Sequence, residues 1–106
     1  MPFIKQAQTY FAALYPVGGA SSDKARINLY CVEDYKLYIL FRKEPLPPNS
    51  YNTASKTGVA YVDIDQYPNY IDLVRNEKPI SVTFNPDVAP PSFVVHANET
   101  VGEGEV

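Results

Sequence analysis

The sequence predicts an α+β or mostly-β domain. Five or six strands, largely antiparallel, would form a curved sheet or small barrel, with one or two short helices closing it. Three observations predict this. The first is the stretch Arg26–Arg42. Two runs of β-branched, aromatic and aliphatic residues flank a polar break, Glu33 to Lys36, as in a hairpin. The second is strict alternation in Ile80–Phe84, with Ile80, Val82 and Phe84 inward and Ser81 and Thr83 outward. The third is the count of 10 prolines in 106 residues. That is about twice the usual share, and each proline removes a backbone donor and cuts the chain into short elements.

Residues 3–15 place Phe3, Ile4, Ala7, Tyr10, Phe11 and Leu14 at helical spacings, so an amphipathic helix is expected there. Pro2 suits its start, and Pro16 with Gly18-Gly19 its end. Thr9–Val17 also reads as a strand. In the hairpin, Ile27, Leu29 and Cys31 share a face with Leu37, Ile39 and Phe41. The second face carries Asn28, Tyr30, Val32, Tyr38, Leu40 and Arg42. It is only partly polar, so a helix or a partner is expected to cover it. A proline-rich loop, Lys43 to Thr57, is long enough to be functional or mobile. Gly58–Ile64 reads as a strand. Asp65–Asn76 reads as a helix with Asp65 as N-cap and Tyr67, Tyr70, Ile71 and Val74 on one face. Ser92–Ala97 is the last strand. Residues 1–97 are expected to be one globular domain and 98–106 an acidic flexible tail.

The net charge of −3 is unevenly spread. Residues 24–56 sum to +3 and residues 57–106 to −6. These read as two solvated faces of opposite sign. A nucleic-acid footprint needs a basic excess across the domain, so nucleic acid is not the expected partner. A single cysteine makes no internal disulfide, no signal peptide is visible, and no apolar run approaches a membrane span. A cytoplasmic protein with no membrane partner is expected.

Few residues carry chemistry. Ser21-Ser22-Asp23-Lys24 and Lys56-Thr57-Gly58 resemble two motifs of penicillin-recognising enzymes. The serine sits in a loop before a strand rather than opening a helix, the third motif is missing, and the chain is too short for that fold. Arg42-Lys43-Glu44-Pro45-Leu46-Pro47-Pro48 fits a polyproline ligand, and equally a proline-protected strand end. Asp63, Asp65 and Asp72 are too few oxygens for a cation site, and Asp65 is expected to act as a cap. His96 is the sole histidine and cannot build a multi-imidazole metal site. Cys31, in phase with Ile27 and Leu29, is expected to be a buried thiol. Asn98-Glu99-Thr100 is a glycosylation sequon without a secretion signal. Gly18-Gly19 lacks phosphate-loop spacing.

The segment Gln66–Ile80, with Val101-Gly102-Glu103-Gly104-Glu105, resembles small uncharacterised bacterial proteins of cyanobacteria, of mostly-β fold. The resemblance implies no activity, cofactor or functional residue.

The leading expectation is a small non-enzymatic binding or assembly module. Tyr30, Tyr38, Leu40, Arg42 and Tyr51 would bind a protein partner or a second copy in a homodimer, since tyrosine is enriched at interfaces. An alternative is a small-ligand or enzymatic pocket at one mouth of the sheet, with Cys31, Asp63 and His96 as polar handles. A third is single-stranded nucleic-acid binding by the basic 24–56 region, with Tyr30 and Tyr38 stacking on bases. No cofactor or metal is expected.

Overall fold

The computed structural model describes residues 1–15 and 23–97. Their strands are β1 (Phe3–Leu14), β2 (Ala25–Cys31), β3 (Lys36–Arg42), β4 (Ser50–Asn52), β5 (Thr57–Asp63), β6 (Ile80–Asn85) and β7 (Ser92–Ala97). One α-helix, α1 (Tyr67–Asn76), lies between β5 and β6. The strands form one sheet in the order β4-β5-β3-β2-β1-β6-β7. Every neighbouring pair is antiparallel except β3 with β5, which run parallel. The sheet curls into a half-barrel around its buried face.

The expected helix over residues 3–15 is instead β1. Its helical spacing came from residues that do not share a buried face: Ile4, Tyr10, Phe11 and Leu14 all stay exposed. Pairing decided the conformation. Residues 3–6 pair with β6 and residues 7–14 with β2, and this long-range ladder overrides a weak local period. Between Ala7 and Thr9 the register to β2 shifts, leaving Gln8 as an extra residue. Such a bulge bends and twists a strand. Here it sits where β1 passes from β6 to β2, so the sheet curls about this strand.

Two further expectations, the strand count and the cap, are corrected. The strand count is seven rather than five or six. The long loop contributes β4, because Ser50, Tyr51 and Asn52 pair with Val59, Gly58 and Thr57. The single α-helix falls within the expected one or two, and two 3-10 turns accompany it, at Val32–Asp34 and Ile64–Gln66. The cap is Asp63, not Asp65: its Oδ1 accepts the Asp65 N–H at 2.8 Å. The chain enters α1 through a 3-10 turn, which moves the cap back two residues.

The hairpin keeps its expected core. Ile27, Leu29, Cys31, Leu37, Ile39 and Phe41 are buried, joined by Ala60, Val74, Val82 and Phe84. The expected helix face, Tyr67, Tyr70, Ile71 and Val74, packs on this core. Phe41 meets the Tyr67 and Tyr70 rings edge-on at 5.1 and 5.6 Å. Thus α1 covers the inner face of the sheet. At the opposite end the inner face is closed by rings: Phe84 stacks on Phe3 at 5.1 Å and meets Tyr35, Tyr51 and Phe93 within 5.7–6.1 Å.

The curl brings distant strands together. Phe93 of β7 packs against Gly58 of β5, where a Cβ would stand 2.4 Å from the ring. Asn49 spans the same gap. Its Nδ2 donates to the Pro91 carbonyl at 3.2 Å, and its Oδ1 accepts the Tyr61 N–H at 2.9 Å. Among the described residues no helix is long and apolar enough to cross a membrane.

Candidate functional site

Strand alternation gives the hairpin's second face its membership. Register places Phe11 beside Asn28, Asn28 beside Tyr38, and Tyr38 beside Val59. One step along, Arg26, Leu40 and Tyr61 lie side by side. No described helix lies over this row, because α1 lies on the opposite face.

The face is ordered by its own side chains. Arg26 Nε donates to Asn28 Oδ1, and Asn28 Nδ2 donates to the Tyr30 hydroxyl, both at 3.1 Å. The Arg26 guanidinium lies 5.3 Å from the Tyr38 ring centre, and that of Arg42 4.9 Å from Tyr61. Arg42 Nε also donates to Asp23 Oδ1 at 2.5 Å. Arginine over tyrosine is a cation–π arrangement. These contacts hold the long side chains of the face in place.

Of the expected interface residues, Tyr30, Tyr38, Leu40 and Arg42 share this outer face. Tyr30, Tyr38 and Arg42 are half-buried, and Leu40 is nearly closed at 9% exposure. Leu40 therefore fills the row rather than protruding from it. Tyr51 is on the other face, inside the ring cluster with Phe3 and Phe84. Burial there raises its phenol pKa. Sequence reasoning missed Tyr61, Arg26 and Phe11. Register with Tyr38, Leu40 and Asn28 was the missing information, since strand partners set which side chains adjoin.

The alternative pocket residues do not line a common cavity. Cys31 points inward and is buried. Asp63 ends β5 in register with Arg42 and caps the turn that follows. His96 lies on the outer face, where its Nε2 and the Thr83 hydroxyl share a hydrogen bond at 3.0 Å. Two grooves on the molecule have other linings. One, of about 870 Å³, opens where β1 leaves β6, between Ala7, Tyr10, Leu29, Val74, Pro79 and Ile80. The second, of about 390 Å³, lies between α1 and β7 at Tyr70, Leu73 and Phe93. Among the described residues no three His, Cys, Asp or Glu side chains cluster as metal ligands do. Ser21, Ser22, Gly18, Gly19, the sequon and the acidic tail lie outside the described residues.

Burial pushes the Cys31 thiol up to about 11. A thiol held protonated is a poor nucleophile. In the native protein at pH 8, Ellman's reagent is expected to leave Cys31 unmodified, while full labelling follows denaturation. Rapid labelling of the folded chain would show that the thiol is accessible and ionisable. The sign for stability follows from the same shift. The folded state keeps its proton longer than the unfolded chain, so this contribution is intact below pH 9 and is lost as pH rises towards 11.

At the ring-closed end, Lys5 donates to Glu33, and its Nζ stands 4.7 Å from the Tyr35 ring centre. Lys56 Nζ lies 5.0 Å from the same ring and donates to the Glu33 carbonyl at 3.1 Å. The hydrogen bond with Glu33 raises the Lys5 pKa, and the same bond lowers that of Glu33. These contacts tie the β2–β3 turn to β1 and to the start of β5.

Comparison of the chain with protein-family models, with curated proteins and with solved structures finds no match. The functional reading therefore rests on the geometry alone.

Proposed function

We propose that this chain is a small non-enzymatic binding or assembly module, and that the outer face of β2, β3 and β5 is its contact surface. One observation carries the reading: the helix lies on the inner face, leaving Tyr30, Tyr38 and Tyr61 on a face that no described helix covers. Tyrosine and arginine are the side chains most enriched at binding hot spots. Arg26 and Lys36 give the face a slight basic excess, since Arg42 is held by Asp23 and Asp63 lies at the rim. The complementary partner is a protein with an acidic surface.

A Tyr30→Glu/Tyr38→Glu variant tests this, after its fold is matched to wild type by circular dichroism and melting. Proteins captured by the wild type are purified and titrated against both forms. At least one is expected to bind the variant tenfold or more weakly, about 1.4 kcal/mol. Equal affinity of every captured protein for both forms removes this face from the proposal.

A further inference from the structure

We propose that the free edge of β1, from Tyr10 to Leu14, adds the same strand of a second copy of this chain, antiparallel about a two-fold axis at Ala12. This edge adjoins the outer face at Phe11, but the proposal does not rest on a role for β2, β3 or β5.

The edge exists because β1 is longer than its partner on that side. β6 pairs with residues 3–6 only, while β2 pairs with residues 7–14 on the other side. Beyond Gln6, no described strand faces the β6 side of β1. The backbone direction there follows from one bond: the Tyr15 N–H donates to the Lys24 carbonyl at 2.9 Å. Peptide groups alternate along a strand. Ala13 and Phe11 therefore turn theirs to β2, and Leu14, Ala12 and Tyr10 turn theirs to the free edge.

Natural sheets protect such edges with charge, proline or brevity. The other two edges follow this rule. β4 is three residues long, and β7 starts directly after Pro90-Pro91. Residues 6–14, Gln-Ala-Gln-Thr-Tyr-Phe-Ala-Ala-Leu, contain neither a charge nor a proline. Their large side chains are also left in water: Tyr10 is 42%, Phe11 52% and Leu14 68% exposed.

The occupant is specified by self-complementarity. Residues 6–14 of the two copies bring no charge to the seam. A two-fold axis requires one residue to face itself, and Ala12 is small and turns its peptide groups outward. That register sets Tyr10 against Leu14 of the second copy and Phe11 against its Ala13. Each exposed large side chain then gains a cross-strand neighbour on its own face. The backbone bonds are reciprocal, Ala12 with Ala12 and Tyr10 with Leu14, as an isologous dimer demands. The dimer would be one continuous sheet across both copies.

The test is mass against concentration for the full chain, by sedimentation from about 1 μM to about 1 mM, with amide exchange on the same samples. A dimer is expected, with the Tyr10, Ala12 and Leu14 amides gaining protection as it forms. Ala12→Pro removes a donor that β2 does not use, and Leu14→Glu places a charge on the seam. Each is expected to raise the dimer dissociation constant at least about tenfold, equal to about 1.4 kcal/mol. Val94→Lys, an exposed change on β7, is expected to leave it unchanged. If Ala12→Pro fails to fold, Leu14→Glu at a highly exposed position still decides. A monomer throughout the range overturns the proposal, as does a dimer indifferent to both edge variants. The Tyr30→Glu/Tyr38→Glu variant should dimerise normally, so failure of the outer-face reading is visible separately.

Discussion

Replacing Phe84 by alanine is expected to destabilise the fold by about 3–5 kcal/mol. Phe84 is fully buried and is the hub of the ring cluster. It touches Phe3 of β1, Tyr35 of the hairpin turn, Tyr51 of β4 and Phe93 of β7. These neighbours come from widely separated parts of the chain, and they close one end of the half-barrel. Truncation loses the transfer energy of the ring and leaves a cavity that four anchored rings cannot easily refill. Domains of this size are stable by only about 5–15 kcal/mol, so the loss is a large fraction of the whole. Denaturant unfolding measures it through the midpoint at unchanged slope. Phe11→Ala is the matched control. Phe11 is about half exposed, and its loss should cost the monomer little, about 0.5 kcal/mol. Equal costs for the two changes would mean that the ring cluster does not hold the curl.

Gly58→Val is expected to cost about 1–3 kcal/mol through overpacking. A Cβ at Gly58 would stand 2.4 and 2.7 Å from two atoms of the Phe93 ring and 3.2 Å from Leu37 Cδ1. The nearest obstacle is the far end of a side chain. Phe93 can therefore turn aside, but only by giving up its edge-on contact with Phe84. The clash lies between β5 and β7, which four strands separate in sheet order. It therefore acts on closure of the curl rather than on any one hairpin. The double variant Gly58→Val/Phe93→Leu supplies the decisive comparison. Its cost should fall short of the two single costs combined by at least about 0.5 kcal/mol, the usual signature of residues in contact. Strict additivity would show that Gly58 and Phe93 do not meet.

The hairpin was legible because its pattern is local and strong. Ile27, Leu29 and Cys31, then Leu37, Ile39 and Phe41, are six core residues that alternation alone identifies. Ile80, Val82 and Phe84 were legible for the same reason, and so was the core face of α1. The first strand was not. Phe3, Ile4, Ala7, Tyr10, Phe11 and Leu14 fit a helical period, but Ile4, Tyr10, Phe11 and Leu14 stay largely exposed. Periodicity reports burial, and a strand with one side partly unpaired and apolar residues on both faces breaks that link. β4 was missed because three residues carry too little pattern to stand apart from a loop.

The candidate site divides in the same way. Tyr30, Tyr38, Leu40 and Arg42 were assigned together because strand alternation and a short turn suffice to place them. Tyr51 was assigned with them, but it pairs opposite Gly58 and falls on the inner face. Its direction depends on the β4–β5 register, and a three-residue strand carries too little pattern to reveal that register. Tyr61 joins the outer face through parallel pairing of β5 with β3, and a parallel connection leaves no local turn signal.

The sequence by itself determined the hairpin, its buried face and its helix-forming segment, because these follow from neighbours within a few residues. Tertiary structure alone decided which face α1 covers, which end the rings close, and that β1 is a strand with half its edge free. Each of those depends on pairing between residues distant in sequence, and the gain from such pairing outweighs the local preference of any one segment.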